Sequence, residues 1–159
     1  MFSEPLELLG LETSGSSIKA RLRVLPATRR VDATLAAAVL ALRPTLAQHS
    51  CKQRSIGLFG DKIVGSTLPH LVEHLAIDLL VESCCQPKAV PKTKRQGIKG
   101  CDSLPAKSAG LLPIAGATRW LDREQGIMQL RVSCAPQSAE LTRQAIVRSV
   151  ELVNSLLER

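Results

Sequence analysis

Apolar and polar side chains alternate with period two over residues 17–25. Ile18, Ala20, Leu22 and Val24 fall on one side, Lys19, Arg21 and Arg23 on the other. The alternation predicts a half-buried antiparallel strand, with residues 6–11 as its partner before a Thr-Ser-Gly-Ser turn. Residues 33–42, rich in alanine and leucine, predict a helix with Asp32 as N-cap. Pro44 should end or kink it, with a second turn reaching Gln48. Residues 55–65, punctuated by Gly57, Gly60 and Gly65, read as irregular or a short strand. A second helix follows, capped by Ser66 or Thr67 and tolerating Pro69 in its first turn, to about Glu82. Residues 83–110 carry prolines, lysines and glycines without apolar periodicity, which predicts a mobile loop. Residues 111–121 and 127–134 read as a hairpin around residues 122–126. An amphipathic helix over 137–159, with Leu141, Ile146, Val150, Val153 and Leu157 inward, closes the chain. The order β-β-α-α-β-β-α predicts one α+β domain over residues 1–159. It would have two layers, an antiparallel sheet with helices packed on one face.

Composition narrows the function classes. The chain has 159 residues, 45% of them hydrophobic, enough for one core. It has no run of about 18 apolar residues, so no membrane partner is expected. The acidic start, residues 1–7, lacks the charged and apolar regions of a signal peptide. Five cysteines (Cys51, Cys84, Cys85, Cys101, Cys134) make an odd number with no C-x-x-C pair. Reduced thiols in a cytoplasmic protein are the expectation. The net charge is +7, but six of the cations sit within residues 83–110 against Asp102 alone. That stretch reads as a solvated loop, or as a lid that attracts an acidic peptide. Phe2, Phe59 and Trp120 are the whole aromatic complement. Without aromatic interleaving or a readout helix, no nucleic-acid partner is expected.

The second predicted helix carries the chemistry. It reads Ser66-Thr-Leu-Pro-His70-Leu-Val-Glu73-His74-Leu-Ala-Ile-Asp78-Leu-Leu-Val-Glu82 and contains H-x-x-E-H, the inverted zinc-peptidase signature. His70 and His74, at i and i+4, stand one turn apart on one face, so both imidazoles can reach a single ion. Glu73 lies beside that face, where a carboxylate can take a proton from water and return it to a leaving amine. His70, Glu73, His74 and Asp78 form a polar stripe on an otherwise apolar helix, and buried ionisable groups need partners. The competing interpretation is a set of structural histidines satisfied by neighbouring carboxylates and carbonyls. A catalytic zinc needs a third protein ligand. Glu151 on the closing helix is the first choice and Cys134 the second. Asp78 is a third candidate, or an orienter of His74.

H-x-x-E-H is the metal motif of pitrilysin/insulinase-type peptidases and of S-ribosylhomocysteine lyase. In those peptidases a glutamate on a later helix completes the site, at about the interval of Glu151. The closer resemblance is to the amino-terminal domain of cyanophycin synthetase. That domain carries a stretch like T-x-x-H-V-x-E-H-V-A-L-E-L, similar to residues 67–79 here, followed by a glycine and a Thr-Arg pair like Gly116-Ala-Thr118-Arg119. The resemblance covers roughly residues 60–158. It implies a metal-dependent hydrolase-like domain, which in some synthetases cuts a polymer of aspartate and arginine. His70 and His74 carry over as ligands and Glu73 as base, and Arg119 as a contact for a substrate carboxylate. The sequence departs from that family in its lysine-rich insertion. The expectation is also that the ATP-using synthetase domains are absent.

Together these features predict a standalone amide or peptide hydrolase using zinc or another divalent metal. Its substrate would be a peptide or small molecule, with acidic character. One alternative is a non-catalytic peptide-binding or scaffold module that retains the fold. A second is a metal-dependent lyase on a small molecule, which requires Cys84, Cys85 or Cys134 near the metal. A homo-oligomer is compatible with all three, because sites of this kind can be shared between subunits.

Overall fold

The computed structural model describes residues 4–52, 55–85, 114–134 and 138–158. Along the chain run β1 (Leu6–Ser14), β2 (Ser17–Val24), α1 (Ala33–Leu42), β3 (Ser50–Cys51) and β4 (Gly57–Leu58). They are followed by α2 (Leu68–Cys85), β5 (Gly116–Asp122), β6 (Ile127–Ser133) and α3 (Ala139–Leu157). The amino-terminal and carboxy-terminal hairpins join through β2 and β6 into an antiparallel sheet ordered β1-β2-β6-β5.

The period-two pattern sets the two faces of that sheet. Ile18 stands opposite Val132, Ala20 opposite Leu130 and Leu22 opposite Met128, and all six are buried. On the other face Lys19 stands opposite Arg131 and Arg21 opposite Gln129. The helices cover the apolar face: α2 packs on β5 and β6, α3 on β1 and β2, and the two helices pack on each other. This is the α+β arrangement expected from the sequence. The β5–β6 turn needs a glycine: Gly126 has φ 69°, and a Cβ there would run into the Val24 carbonyl oxygen.

Local signals hold in detail. Asp32 caps α1 by accepting from the Leu35 N–H at 2.8 Å. The helix stops before Pro44, and residues Pro44–Gln48 turn as a short 3₁₀ segment. Thr67 caps α2, its hydroxyl accepting from the His70 N–H at 3.2 Å. That helix runs to Cys85, three residues beyond the expected end, so the start of the predicted loop is helical. The rest of the predicted loop, residues 86–110, lies outside the described residues, as do residues 111–113. β5 starts at Gly116, later than the expected residue 111. The short strand allowed for within residues 55–65 is β4, and its partner β3 is new: the two pair as a two-residue ribbon, with Ser50 opposite Leu58 and Cys51 opposite Gly57.

Helix α2 is the centre of the molecule. Leu68, Leu71, Val72, Leu75, Ala76 and Leu80 are all buried, because the sheet lies on one side and α3 on another. A helix apolar on nearly every side must be enclosed, and its few polar residues are enclosed with it. Among the described residues, no helix is long and apolar enough to cross a membrane.

Candidate metal centre

His70 and His74 lie one turn apart on α2, as their spacing requires, with ring centroids 4.9 Å apart. Phe59, fully buried, stacks against His74 at 3.8 Å and His70 at 5.5 Å, and so forms a wall behind both imidazoles. The β3 ribbon delivers Cys51, whose Sγ lies 3.4 Å from His70 Nε2. Lys62 fixes that ribbon by donating to the Cys51 carbonyl at 2.9 Å. One donor atom from each of Cys51, His70 and His74 lies within 4.8 Å of the other two, and all three residues are buried. A sulfur and a nitrogen bound to one tetrahedral ion at ordinary bond lengths stand about 3.5 Å apart. The sulfur–nitrogen spacing here matches that value.

Burial sets the protonation states. It lowers His70 to about 4, with the Lys62 charge adding to the effect. It lowers His74 to about 3, with further contributions from His70 and His49. Both rings are therefore neutral at pH 7 and carry the lone pair a metal requires. Two imidazoles and a thiol fit a divalent ion that accepts nitrogen and sulfur together.

Glu73 stands beside these donors on the same helix. Its Oε2 is buried with no hydrogen-bond partner among the described residues. Burial raises its pKa from 4.5 to about 7. The first residue of β5 makes room for it: a Cβ on Gly116 would fall 2.5 Å from Glu73 Oε1 and 2.6 Å from Cδ. The donors and Glu73 line a cleft of about 770 Å³, walled on the far side by residues 114–118 and edged by Lys52. A buried carboxyl that titrates near neutrality, at the floor of an open cleft, can both accept and return a proton.

A second polar chain lies behind His74. His49 Nδ1 is 3.3 Å from His74 Nδ1, and His49 Nε2 is 3.2 Å from Asp78 Oδ1. Asp78 also accepts from Arg43 Nε at 2.7 Å and from the Thr45 hydroxyl at 2.6 Å.

The other sequence candidates lie elsewhere. Glu151 is exposed on α3, outside the converging donors. Cys134 is buried within the apolar core at the end of β6. Asp78 is turned toward Arg43, Thr45 and His49. Arg119 is exposed and donates to Gln129 at 2.9 Å, on the sheet face away from α2, while the cleft wall ends at Thr118. Of the cysteines tied to the lyase alternative, the side chains of Cys84 and Cys85 lie outside the described residues. Cys51 and His49 are additions from the structure. Their signal in the sequence is a His-x-Cys pair, two residues apart in an extended segment and so on one side, holding the only histidine outside the helix motif.

No protein-family model matches the chain, and no curated protein matches it.

Proposed function

We propose that this protein is a zinc-dependent hydrolase of amide or peptide bonds, with Cys51, His70 and His74 as ligands and Glu73 as the proton carrier. One observation carries the reading: a buried Cys/His/His donor set adjoins a carboxylate, Glu73, whose Oε2 has no hydrogen-bond partner among the described residues, in an open cleft. When bound, the ion would supply Lewis acidity, polarising a carbonyl and lowering the pKa of a water molecule. Glu73 Oε2 removes one proton from the attacking water as its oxygen bonds to the carbonyl carbon. As the C–N bond breaks, the same oxygen delivers that proton to the departing nitrogen. Phe59 keeps bulk water from the back of the imidazoles, and Gly116 leaves the carboxylate free to turn between the two partners. The resemblance of residues 60–158 to the amino-terminal domain of cyanophycin synthetase supports peptides containing aspartate and arginine as substrates. Lys52 at the cleft edge suits an acidic one.

Elemental analysis of wild type beside His70→Ala tests the centre. About one zinc per chain, lost in the variant, is the expected result. Glu73→Gln should keep the zinc and lose at least 100-fold in hydrolysis of responsive peptides. Unchanged hydrolysis in that variant would rule the mechanism out.

A second reading, a metal-dependent lyase on a small molecule, gains support from the thiol of Cys51 in the donor set. Alkylation separates the two. A ligand thiol is protected from iodoacetamide by zinc, whereas a thiol that serves as a reacting group is modified in the zinc-loaded protein with loss of turnover.

A further inference from the structure

Asp78 is a buried carboxylate to which the hydrolytic reading gives no task. Arg43 donates to its Oδ2 and Thr45 to its Oδ1, and Arg43 is itself held by Glu82 at 2.7 Å. His49 Nε2 lies 3.2 Å from Oδ1 of the same carboxylate. On the other edge of that ring, His49 Nδ1 lies 3.3 Å from Nδ1 of His74. His49 therefore engages Nδ1 of His74, and the ring nitrogen left for an ion is Nε2.

We infer that His49 is a positioning residue, which links Asp78 to His74 and, by engaging Nδ1, turns Nε2 of His74 toward the ion. The inference rests on the proposed metal centre. Outer partners of this kind orient a ligating imidazole and raise its basicity. His49 is not one of the three residues whose donor atoms converge, so it acts on the ion through His74. The chain also accounts for the Arg43–Asp78–Glu82 cluster, which holds the relay at its Asp78 end.

The test is zinc affinity by competition with a chromophoric chelator, for wild type, His49→Leu and His49→Gln. The cobalt-substituted spectrum of each is recorded alongside. His49→Leu should bind zinc 10- to 100-fold more weakly while its cobalt bands keep their intensity, since the same atoms bind the metal. His49→Gln can offer an N–H to Asp78 and an oxygen to His74, and should recover most of the affinity. Wild-type affinity in His49→Leu would overturn the inference. So would cobalt bands showing a lost nitrogen ligand, which would make His49 itself a ligand. Should His49→Leu fail to fold, the ring nitrogen resonances of His74 in wild type decide. In the zinc-loaded protein a proton on Nδ1 is expected, and a proton on Nε2 overturns the inference. A wild type that takes up neither zinc nor cobalt would instead defeat the metal reading, and the inference with it.

Discussion

Glu73 and Gly116 constrain each other. The carboxylate occupies the space that any larger residue at 116 would need. Gly116→Ala should therefore destabilise the protein by about 1–3 kcal/mol, the usual cost of overpacking. It should also weaken hydrolysis by swinging Glu73 away from the donors. In a Glu73→Ala background the same change should cost much less, and a double-mutant cycle in urea reads the difference. Equal costs in both backgrounds would show that the two residues do not compete for space. This contact was out of reach of the sequence, and the reason extends to the rest of the site. His70, Glu73 and His74 are legible because helical spacing alone puts them together. Cys51 and His49 come from a segment with no periodicity, and the β3–β4 ribbon that aims them pairs only two residues on each side. Arg119 and Glu151 show the opposite limit. Each sits on an element whose type the pattern gives well. Yet Arg119 is one position off the strand face that holds Gly116 and Thr118, and Glu151 is one position past the buried Val150.

At the scale of elements, the amphipathic pattern places α3 over the sheet, but a single polar residue fixes where β1 meets it. Asn154 Oδ1 accepts from the Leu6 N–H at 3.1 Å, and its Nδ2 donates to the Leu6 carbonyl at 2.7 Å. Both groups are buried, so one amide takes the place of a neighbouring strand for the first residue of β1. Asn154→Leu should remove about 2–3 kcal/mol of stability, because it leaves a buried donor and acceptor unpaired. Urea unfolding measures this, and a loss under about 0.5 kcal/mol would mean that water replaces the amide. The partners lie 148 residues apart, and on a helical wheel Asn154 reads as an ordinary polar position. The same asymmetry runs through the fold. Strands β1, β2 and β6 and helix α1 follow from short-range periodicity and caps such as Asp32. The strand order β1-β2-β6-β5 follows from pairing between two distant hairpins, which no local pattern encodes.

For the whole molecule, the buried titratable groups tie stability to pH in two opposed ways. In the metal-free protein His70 and His74 resist protonation down to about 4 and about 3, against an ordinary 6.5. Below pH 6.5 the unfolded chain therefore binds two protons that the folded chain does not, and stability falls as pH falls. Glu73 acts in reverse: folded it holds its proton up to about 7, unfolded only to about 4.5. Between those values the folded form binds the extra proton, and stability falls as pH rises. From 4.5 to 6.5 the histidines prevail by one proton, a rise of about 1.4 kcal/mol per pH unit. From 6.5 to 7 Glu73 acts alone, so chelator-treated protein should be most stable near pH 6.5. Glu73→Gln removes the descending limb. It should be more stable than wild type at pH 8, and its acid limb should steepen toward two protons per molecule. Denaturant midpoints taken from pH 4 to 8 in the presence of a chelator give both slopes. A Glu73→Gln protein less stable than wild type at pH 8 would show that the carboxylate is paired in solution and that its raised pKa has no counterpart there. Adding zinc to wild type at pH 7 favours the neutral imidazoles, and at 100 times its dissociation constant should add about 2.7 kcal/mol. In His70→Ala the same addition should leave the midpoint where it was, because the gain depends on the centre formed by Cys51, His70 and His74.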